Sequence, residues 1–336
     1  MQIAVVGAGA LGGLFAALLA RAGHEITVTA HQAARAVIQD DGIGITGGFG
    51  DAHCRVQVRE ILTETPDLTL ICTKAQDAAA AIAENAEMLD GSPVIVVQNG
   101  LDGVSIAEGL LPHSDCFGLL TLIAAHYIGP GRVRVTTAAS SYLGRGSGQA
   151  DAATRHWQMI LATAFPTFAT DNFVGAQWTK LVVNMLNALP AITGLSVQTV
   201  IGTAPLRRIL TASMQETVRV GVARNVTFGS LHALTDRTLR VFGRLPVTLA
   251  QSLPLRIGVK MGPVANLGST LQSLKRAQLT EVDHLNGAVV REAQLAGLAA
   301  PVNALLTTLV HEVEVTRAFL KPADVLARFD KLIDDR

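Results

Sequence analysis

The sequence predicts an α/β N-terminal domain over residues 1–170, followed by an all-α C-terminal domain over 171–336. Three observations carry that expectation. Short apolar runs alternate with alanine- and leucine-rich stretches through the first half, the pattern of strands and helices around a parallel sheet. A glycine-rich turn joins the first run to the first such stretch. From about residue 171 the strand pattern stops, and amphipathic stretches of helical length take over. A chain of 336 residues is also long enough for two domains.

Composition removes several function classes. Hydrophobic residues make up 49% and charged residues 16%, ample for buried cores and far from the composition of disorder. The formal net charge is zero, so nothing supplies the long-range attraction to phosphate that a nucleic-acid binder needs. Cys54, Cys72 and Cys116 are an odd set without CxxC spacing; neither a disulfide framework nor a metal site is expected, and a reducing cytoplasm fits best. Residues 1–20 have the hydropathy of a signal peptide but lack a basic start and carry Gly7, Gly9, Gly12 and Gly13. Residues 181–202 are uncharged and long enough to span a bilayer, yet they hold Asn184, Asn187, Pro190 and Gln198, which hydrocarbon penalises without partners. Both stretches read as buried elements of a protein with no membrane partner.

The elements follow in order. "QIAVV" is a short apolar strand, "LGGLFAALLARAG" a helix that stops at Gly23, and "EITVTA" a second strand. Between the first strand and the helix lies "GAGALG", a GxGxxG turn. Gly7 permits the tight turn, Gly9 lets backbone approach a pyrophosphate, and Gly12 lets helix and strand pack closely. Gly7, Ala8, Gly9, Ala10, Leu11 and Gly12 therefore read as a phosphate cradle at a helix N-terminus, in a Rossmann-like βαβ unit. An acid at the end of the second strand would bind the ribose of NAD. Here the region reads Ala30, His31, Gln32, with Arg35 one turn on and no acid, which favours NADP. Arg35 either meets the 2′-phosphate or is a solvated helix residue.

"DLTLICTK" and "SPVIVVQNG" are further strands, separated by the helical "QDAAAAIAENAEML". Ligands of open α/β sheets sit beyond the carboxyl ends of strands, where Lys74 and Asn99 fall. Lys74 can equally be a solvated loop lysine, and Asn99-Gly100 is also a turn signal. "SDCFGLLTLIAAHY" and "GRVRVT" supply later strands.

In the second half, "DNFVGAQWTKLVVNMLNALPAITG" reads as a helix broken near Pro190, and "APLRRILTASMQETVRVGVARNV" as a long amphipathic helix. "PVANLGSTLQSLKRAQLTEVDHLNGAVVREAQLAGL" gives two helices separated by "RAQLT", and "APVNALLTTLVHEVEVTRAFL" a last one. Residues 237–265 mix prolines and arginines with apolar residues and read as an insertion that shapes a pocket or an interface. In "TEVDHLNG", Thr280 is an expected N-cap and Asp283 its partner in a variant capping box, leaving Glu281 to face a cleft. Glu281 and Asp283 lie about 200° apart on a regular helix. His284 has no ligand-spaced neighbour and reads as packing or surface.

Together these segments resemble the ketopantoate reductase (2-dehydropantoate 2-reductase) family. The resemblance rests on "GAGALGG", "TKAQD", "VQNGLDG", "GPGRVRVT", "KLVVN", "STLQSL" and "TEVDHLNG", in family order along nearly the whole chain. It implies NADPH-dependent reduction of 2-dehydropantoate to pantoate, in pantothenate biosynthesis. By position it implies Lys180 as the catalytic lysine and Glu281 as the acid of the site, in reach of substrate and cofactor. Ser269, Asn184 and Asn99 would contact the substrate, Asn99 lying between substrate and cofactor, and Lys74 would sit near the 2′-phosphate. The family's arginine at the end of the second strand is His31 here. Its second cleft asparagine, four residues after the first, is Ala188 here, with Asn187 one place earlier. At about 100° per residue, Lys180, Asn184 and Asn187 share one helical stripe, so Asn187 is expected at the substrate; the alternative is that it only helps end the helix.

The chemistry implied is hydride transfer to a keto carbon, with a positioned ammonium stabilising and protonating the developing oxyanion. Lys180 suits that role because a partly buried lysine can be tuned toward neutral pH; its alternative is a lysine at a domain boundary. A paralogue reducing another 2-oxo acid and a non-catalytic NADP-binding sensor are the competing functions. The partner expected is a small-molecule 2-oxo acid, without nucleic acid or membrane; a homodimer is compatible with the chain.

Overall fold

In the computed structural model, which describes residues 1–231, 233–262 and 264–334, the chain divides into two compact units, Met1–Val174 and Gly175–Arg336. The first holds twelve strands: β1 (Gln2–Val6), β2 (Glu25–Thr29), β3 (Ile43–Gly47), β4 (Ala52–Cys54), β5 (Gln57–Arg59), β6 (Leu68–Ile71), β7 (Val94–Val96), β8 (Cys116–Thr121), β9 (Ala124–Gly129), β10 (Arg132–Thr137), β11 (Ser141–Gly144) and β12 (Thr167–Ala169). Eight of them form one sheet in the order β12-β11-β8-β7-β6-β1-β2-β5, parallel except where β11 runs against β8. From β1 the chain winds to β2 and β5 on one side, then to β6, β7 and β8 on the other. The winding direction therefore reverses between β1 and β6, the place where open α/β sheets form a ligand crevice at their carboxyl ends.

Alternation along β1 explains the apolar run from Ile3 to Val6. Ile3 and Val5 join the core that holds Leu14, Phe15 and Leu18 of the helix Ala10–Arg21; Ala4 and Val6 join a second core with Ile71, Ile82 and Val96. Each large apolar side chain buried this way contributes about 1.5–3 kcal/mol. The helix Ala10–Arg21 is itself buried without interruption from Gly12 to Leu19. Its far side is covered by a second sheet, β4-β3-β10-β9, that the sequence pattern did not reveal. A Cβ on Gly13 would lie 3.1 Å from Val133 Cγ2 on β10, so the helix packs close to this sheet. Burial on both sides is why residues 1–20 have the hydropathy of a leader.

The second unit is helical, and Ala204–Ala223 is its central element, packed against Val197–Gly202, Asp236–Arg244, Asn286–Leu295 and Pro301–Thr316. Within its core, Glu216 is 4% exposed and accepts from the N–H groups of Val302 (3.2 Å) and Asn303 (2.8 Å) at the start of Pro301–Thr316. The carboxylate thereby serves as a borrowed cap for a helix that has no side-chain cap at Ala300. Residues 181–202 are the last turn of Phe173–Asn184 and three short helical pieces, Met185–Asn187, Ala188–Thr193 and Val197–Gly202, rather than one span, and no helix of the described residues is long and apolar enough to cross a membrane.

Over its described residues the stretch 237–265 is mostly helical. It folds as the helices Asp236–Arg244, Val247–Ala250 and Ser252–Lys260; Pro263 lies outside the described residues. The first of these is opened by a capping box between Thr235 and Thr238 and buries Leu239 and Phe242. Gln215 Nε2 donates to the carbonyls of Phe242 (2.7 Å) and Leu245 (2.8 Å), tying the end of that helix to the core.

Candidate functional site

In the first unit the glycine turn has the geometry that its spacing predicts. Gly7 follows β1 with φ +102°, and a Cβ there would lie 2.8 Å from Thr73 Cγ2. A Cβ on Gly12 would fall 1.9 Å from the Gly7 carbonyl oxygen, an impossible contact. Gly9 differs: nothing lies within 4 Å of its would-be Cβ, so the protein's own packing does not demand glycine there. Its open face leads onto the start of Ala10–Arg21, where no side chain caps the helix and no acid lies in the first turn. Free N–H groups and a positive dipole end beside an open glycine fit a pyrophosphate.

The same sheet edge carries the other first-unit candidates. Gly7 N–H donates to Thr29 Oγ1 (3.2 Å), linking the turn to the end of β2. Half-buried Lys74 follows β6 and caps Ala75–Glu84 through its backbone. Gln98 Nε2 donates to the Thr73 carbonyl (3.1 Å), holding the loops after β6 and β7 together, and Gly100 turns the chain at φ +90°, as the Asn99-Gly100 turn signal indicates. Among the described residues, Thr73 Oγ1 and Gln98 Oε1 are buried with no hydrogen-bond partner. Neither residue was singled out from sequence, although they flank Lys74 and Asn99 in "TKAQD" and "VQNG". At the outer end of the edge, His31 is the exposed N-cap of Gln32–Asp41, and Arg35 is not merely solvated: its Nη1 donates to Glu60 Oε2 at 2.7 Å.

The second unit holds Lys180, Asn184, Asn187, Ser269 and Glu281. In the run 178–193, most residues are buried, whereas Lys180, Asn184 and Asn187 are each half-buried and share one stripe. The helix is not regular across that stripe. Phe173–Asn184 tightens into a 3₁₀ turn at Met185–Asn187 before Ala188–Thr193. Pro190 accounts for the break, since it has no N–H to offer the carbonyl four residues back.

Asn187 has both ends of its amide engaged with backbone. Nδ2 donates to the Asn184 carbonyl (3.1 Å), and Oδ1 accepts from Ser269 N–H (3.2 Å) at the start of Gly268–Lys275. Gly268 at φ +72° is required beside it, because a Cβ there would lie 2.6 Å from Asn187 Oδ1. The Asn187 amide thereby ties the 3₁₀ turn to the start of Gly268–Lys275, beside Ser269.

The acids of "TEVD" are also arranged differently from the expectation. Residues 277–287 are not one helix: Ala277 is left-handed at φ +54°, Val282–His284 is a 3₁₀ turn, and the next helix starts at Asn286. Thr280 Oγ1 accepts from Val282 N–H (3.3 Å), and Asp283 forms no capping box with it. Instead, Thr280 N–H donates to Glu314 Oε1 (2.7 Å), while His311 bridges Glu314 Oε2 (2.7 Å) and Asp283 Oδ1 (3.0 Å). Glu314 and His311, on Pro301–Thr316, hold the turn around Thr280 and Asp283, which local pattern could not show. Half-buried Glu281 caps the 3₁₀ turn through its backbone. Burial pulls the Lys180 ammonium down to about 8, and the Glu281 carboxylate opposes that fall.

Burial lowers the His311 pKa, but the hydrogen bonds to Glu314 and Asp283 outweigh it and hold the pKa above its ordinary value. A raised histidine pKa stabilises the fold fully below the unfolded value of about 6.5, and the effect is lost as pH rises through the folded value. Asp283→Asn is therefore expected to cost less than about 1 kcal/mol, because both partners are more than a third exposed (58% and 42%). The loss should be seen in thermal melts near pH 6 and fade by pH 9. A loss equal at both pH values would show that the bridge does not act through charge.

Known proteins resemble the chain throughout. A family model described as ketopantoate reductase PanE/ApbA matches residues 3–148, and one described as its C-terminal part matches residues 172–314. A 2-dehydropantoate 2-reductase of Halobacterium salinarum is 27% identical over 322 residues, which cover 92% of this chain and 98% of the relative. Among solved structures, a PanE/ApbA family ketopantoate reductase of Ralstonia eutropha matches with TM-score 0.80 at 27% identity, covering 94% of this chain and 99% of that one. A D-mandelate dehydrogenase solved with NADH and anilino(oxo)acetate matches with TM-score 0.81 over 94% of this chain and 99% of that one; at 22% identity the likeness is one of fold.

Proposed function

The chain belongs to the ketopantoate reductase family of NADP-dependent oxidoreductases, and from that premise we propose that it reduces 2-dehydropantoate to pantoate with Lys180 as general acid. The observation that carries this reading is the half-buried Lys180, its ammonium lowered to about 8 and in electrostatic reach of Glu281. Such a lysine is still mostly protonated at neutral pH, yet gives up its proton more readily than one at 10.5.

NADPH, when bound, supplies the hydride for the keto carbon. Gly7, Ala8, Gly9, Ala10, Leu11 and Gly12 are assigned to the pyrophosphate, and His31, Arg35 and Lys74 to the 2′-phosphate end. Lys180 stabilises the charge that builds on the carbonyl oxygen and delivers its Nζ proton there. Asn184 and Ser269 bind the substrate, with Ser269 held by Asn187, and Asn99 and Glu281 complete the contacts to substrate and cofactor. Turnover by this route needs the protonated lysine. kcat/KM is therefore expected to be flat below pH 8 and to fall about tenfold per unit above it, as one ionisation requires.

The test is NADPH oxidation with 2-dehydropantoate and with a panel of other 2-oxo acids, an aryl one included. A clear kcat/KM preference for 2-dehydropantoate supports the proposal. Preference for another acid would transfer the same machinery to a different substrate, a reading that the fold likeness to D-mandelate dehydrogenase motivates. Tight NADPH binding without turnover on any acid would leave a sensor.

A further inference from the structure

The dinucleotide site proposed above lacks an acid at the end of β2, but an acid reaches that edge from the neighbouring strand. β2 and β5 are parallel, with Thr29 level with Arg59. Glu60, the next residue, therefore stands level with Ala30, whose N–H donates to the Arg59 carbonyl at 3.0 Å. Thr29 accepts from the Gly7 N–H, so the glycine turn, the end of β2 and Glu60 follow one another along the carboxyl edge of the sheet. Here Glu60 Oε2 holds Arg35 Nη1 at 2.7 Å, and the Glu60 side chain remains 65% exposed. Arg35 is the basic residue one turn into the helix that starts at Gln32, where a 2′-phosphate would be met.

We propose that Glu60 is a cofactor-selectivity residue, which weakens the preference for NADP over NAD by holding Arg35 and placing a negative charge at the ribose end of the site. Two physical effects act together. The carboxylate offsets the guanidinium charge that would attract a 2′-phosphate, and it repels that phosphate directly. On this largely exposed side chain the second oxygen can accept a hydrogen bond from a ribose hydroxyl, the role an acid at the end of β2 plays in NAD-binding sites. His31 and Lys74 still favour the phosphate, so the expected outcome is a moderated preference rather than a reversed one.

This inference rests on the dinucleotide site of the proposed function but not on the identity of the 2-oxo acid, so it is tested by binding alone. Dissociation constants for NADP⁺ and NAD⁺ are measured by titration calorimetry, without substrate, on the wild type, Glu60→Gln and Glu60→Asp. Glu60→Gln is expected to shift the ratio of the two constants toward NADP⁺ by about fivefold or more, the scale of one unit charge at close range in water. Glu60→Asp, which keeps the charge, is expected to stay near the wild-type ratio. If both cofactors bind and the Glu60→Gln ratio stays within about twofold of the wild type, Glu60 has no part in selectivity. If neither binds to the wild type, the dinucleotide site itself is wrong.

Discussion

Lys180→Ala is expected to lower kcat by about a hundredfold or more while the dissociation constant for NADPH changes little, the pattern of a lost general acid. Single-turnover rates and a separate NADPH titration separate the two effects. A variant with near-normal kcat would remove Lys180 from the chemistry. The same residue makes a second, opposite prediction. Its folded pKa of about 8 lies below the ordinary 10.5, so below pH 8 the folded state bears the full cost of the half-buried ammonium. That cost fades as pH rises from 8 to 10.5, because there the unfolded chain binds the proton that the folded chain has released. Lys180→Met should therefore stabilise the protein at pH 7 by about 1–2 kcal/mol, after discounting for partial exposure, and by almost nothing near pH 10.5. Denaturant unfolding at the two pH values checks this.

Glu281→Gln is expected to reduce kcat/KM by about tenfold or more, and the loss should grow as pH rises. The Glu281 carboxylate holds the Lys180 pKa up against burial, so removing its charge lets that pKa fall further. The alkaline limb of the pH profile then moves below pH 8, leaving less protonated lysine at neutral pH and above. An unmoved pH profile with a raised KM would mean that Glu281 only binds the substrate. Unchanged kinetics would remove it from the site altogether.

Much of the first unit was readable because its signals are local. The turn from Gly7 to Gly12 is set by steric facts within a few residues: a positive φ at Gly7 and the contact between Gly12 and the Gly7 carbonyl. The strands that end at Ile71 and Val96 lie in apolar runs that reach Cys72 and Val97 and stop at polar Thr73 and Gln98, which is also why Lys74 and Asn99 fall at the carboxyl edge. In the second unit, the stripe of Lys180, Asn184 and Asn187 was visible as helical periodicity, and it survives the 3₁₀ turn that Pro190 brings.

Sequence alone thus determined the α/β-then-α order and the strand, glycine turn and helix that open the chain, since each depends on neighbours a few places away. Tertiary structure decided what those residues hold. Asn187 reaches the Ser269 backbone 82 positions on, His311 reaches Asp283 across 28, and Arg35 meets Glu60 across 25. The sheet β4-β3-β10-β9, which makes a twice-buried helix out of an apparent leader, likewise joins strands far apart in the chain. Periodicity records which face of an element is buried. It carries no record of which distant side chain will cover that face, because packing of the whole unit selects that partner.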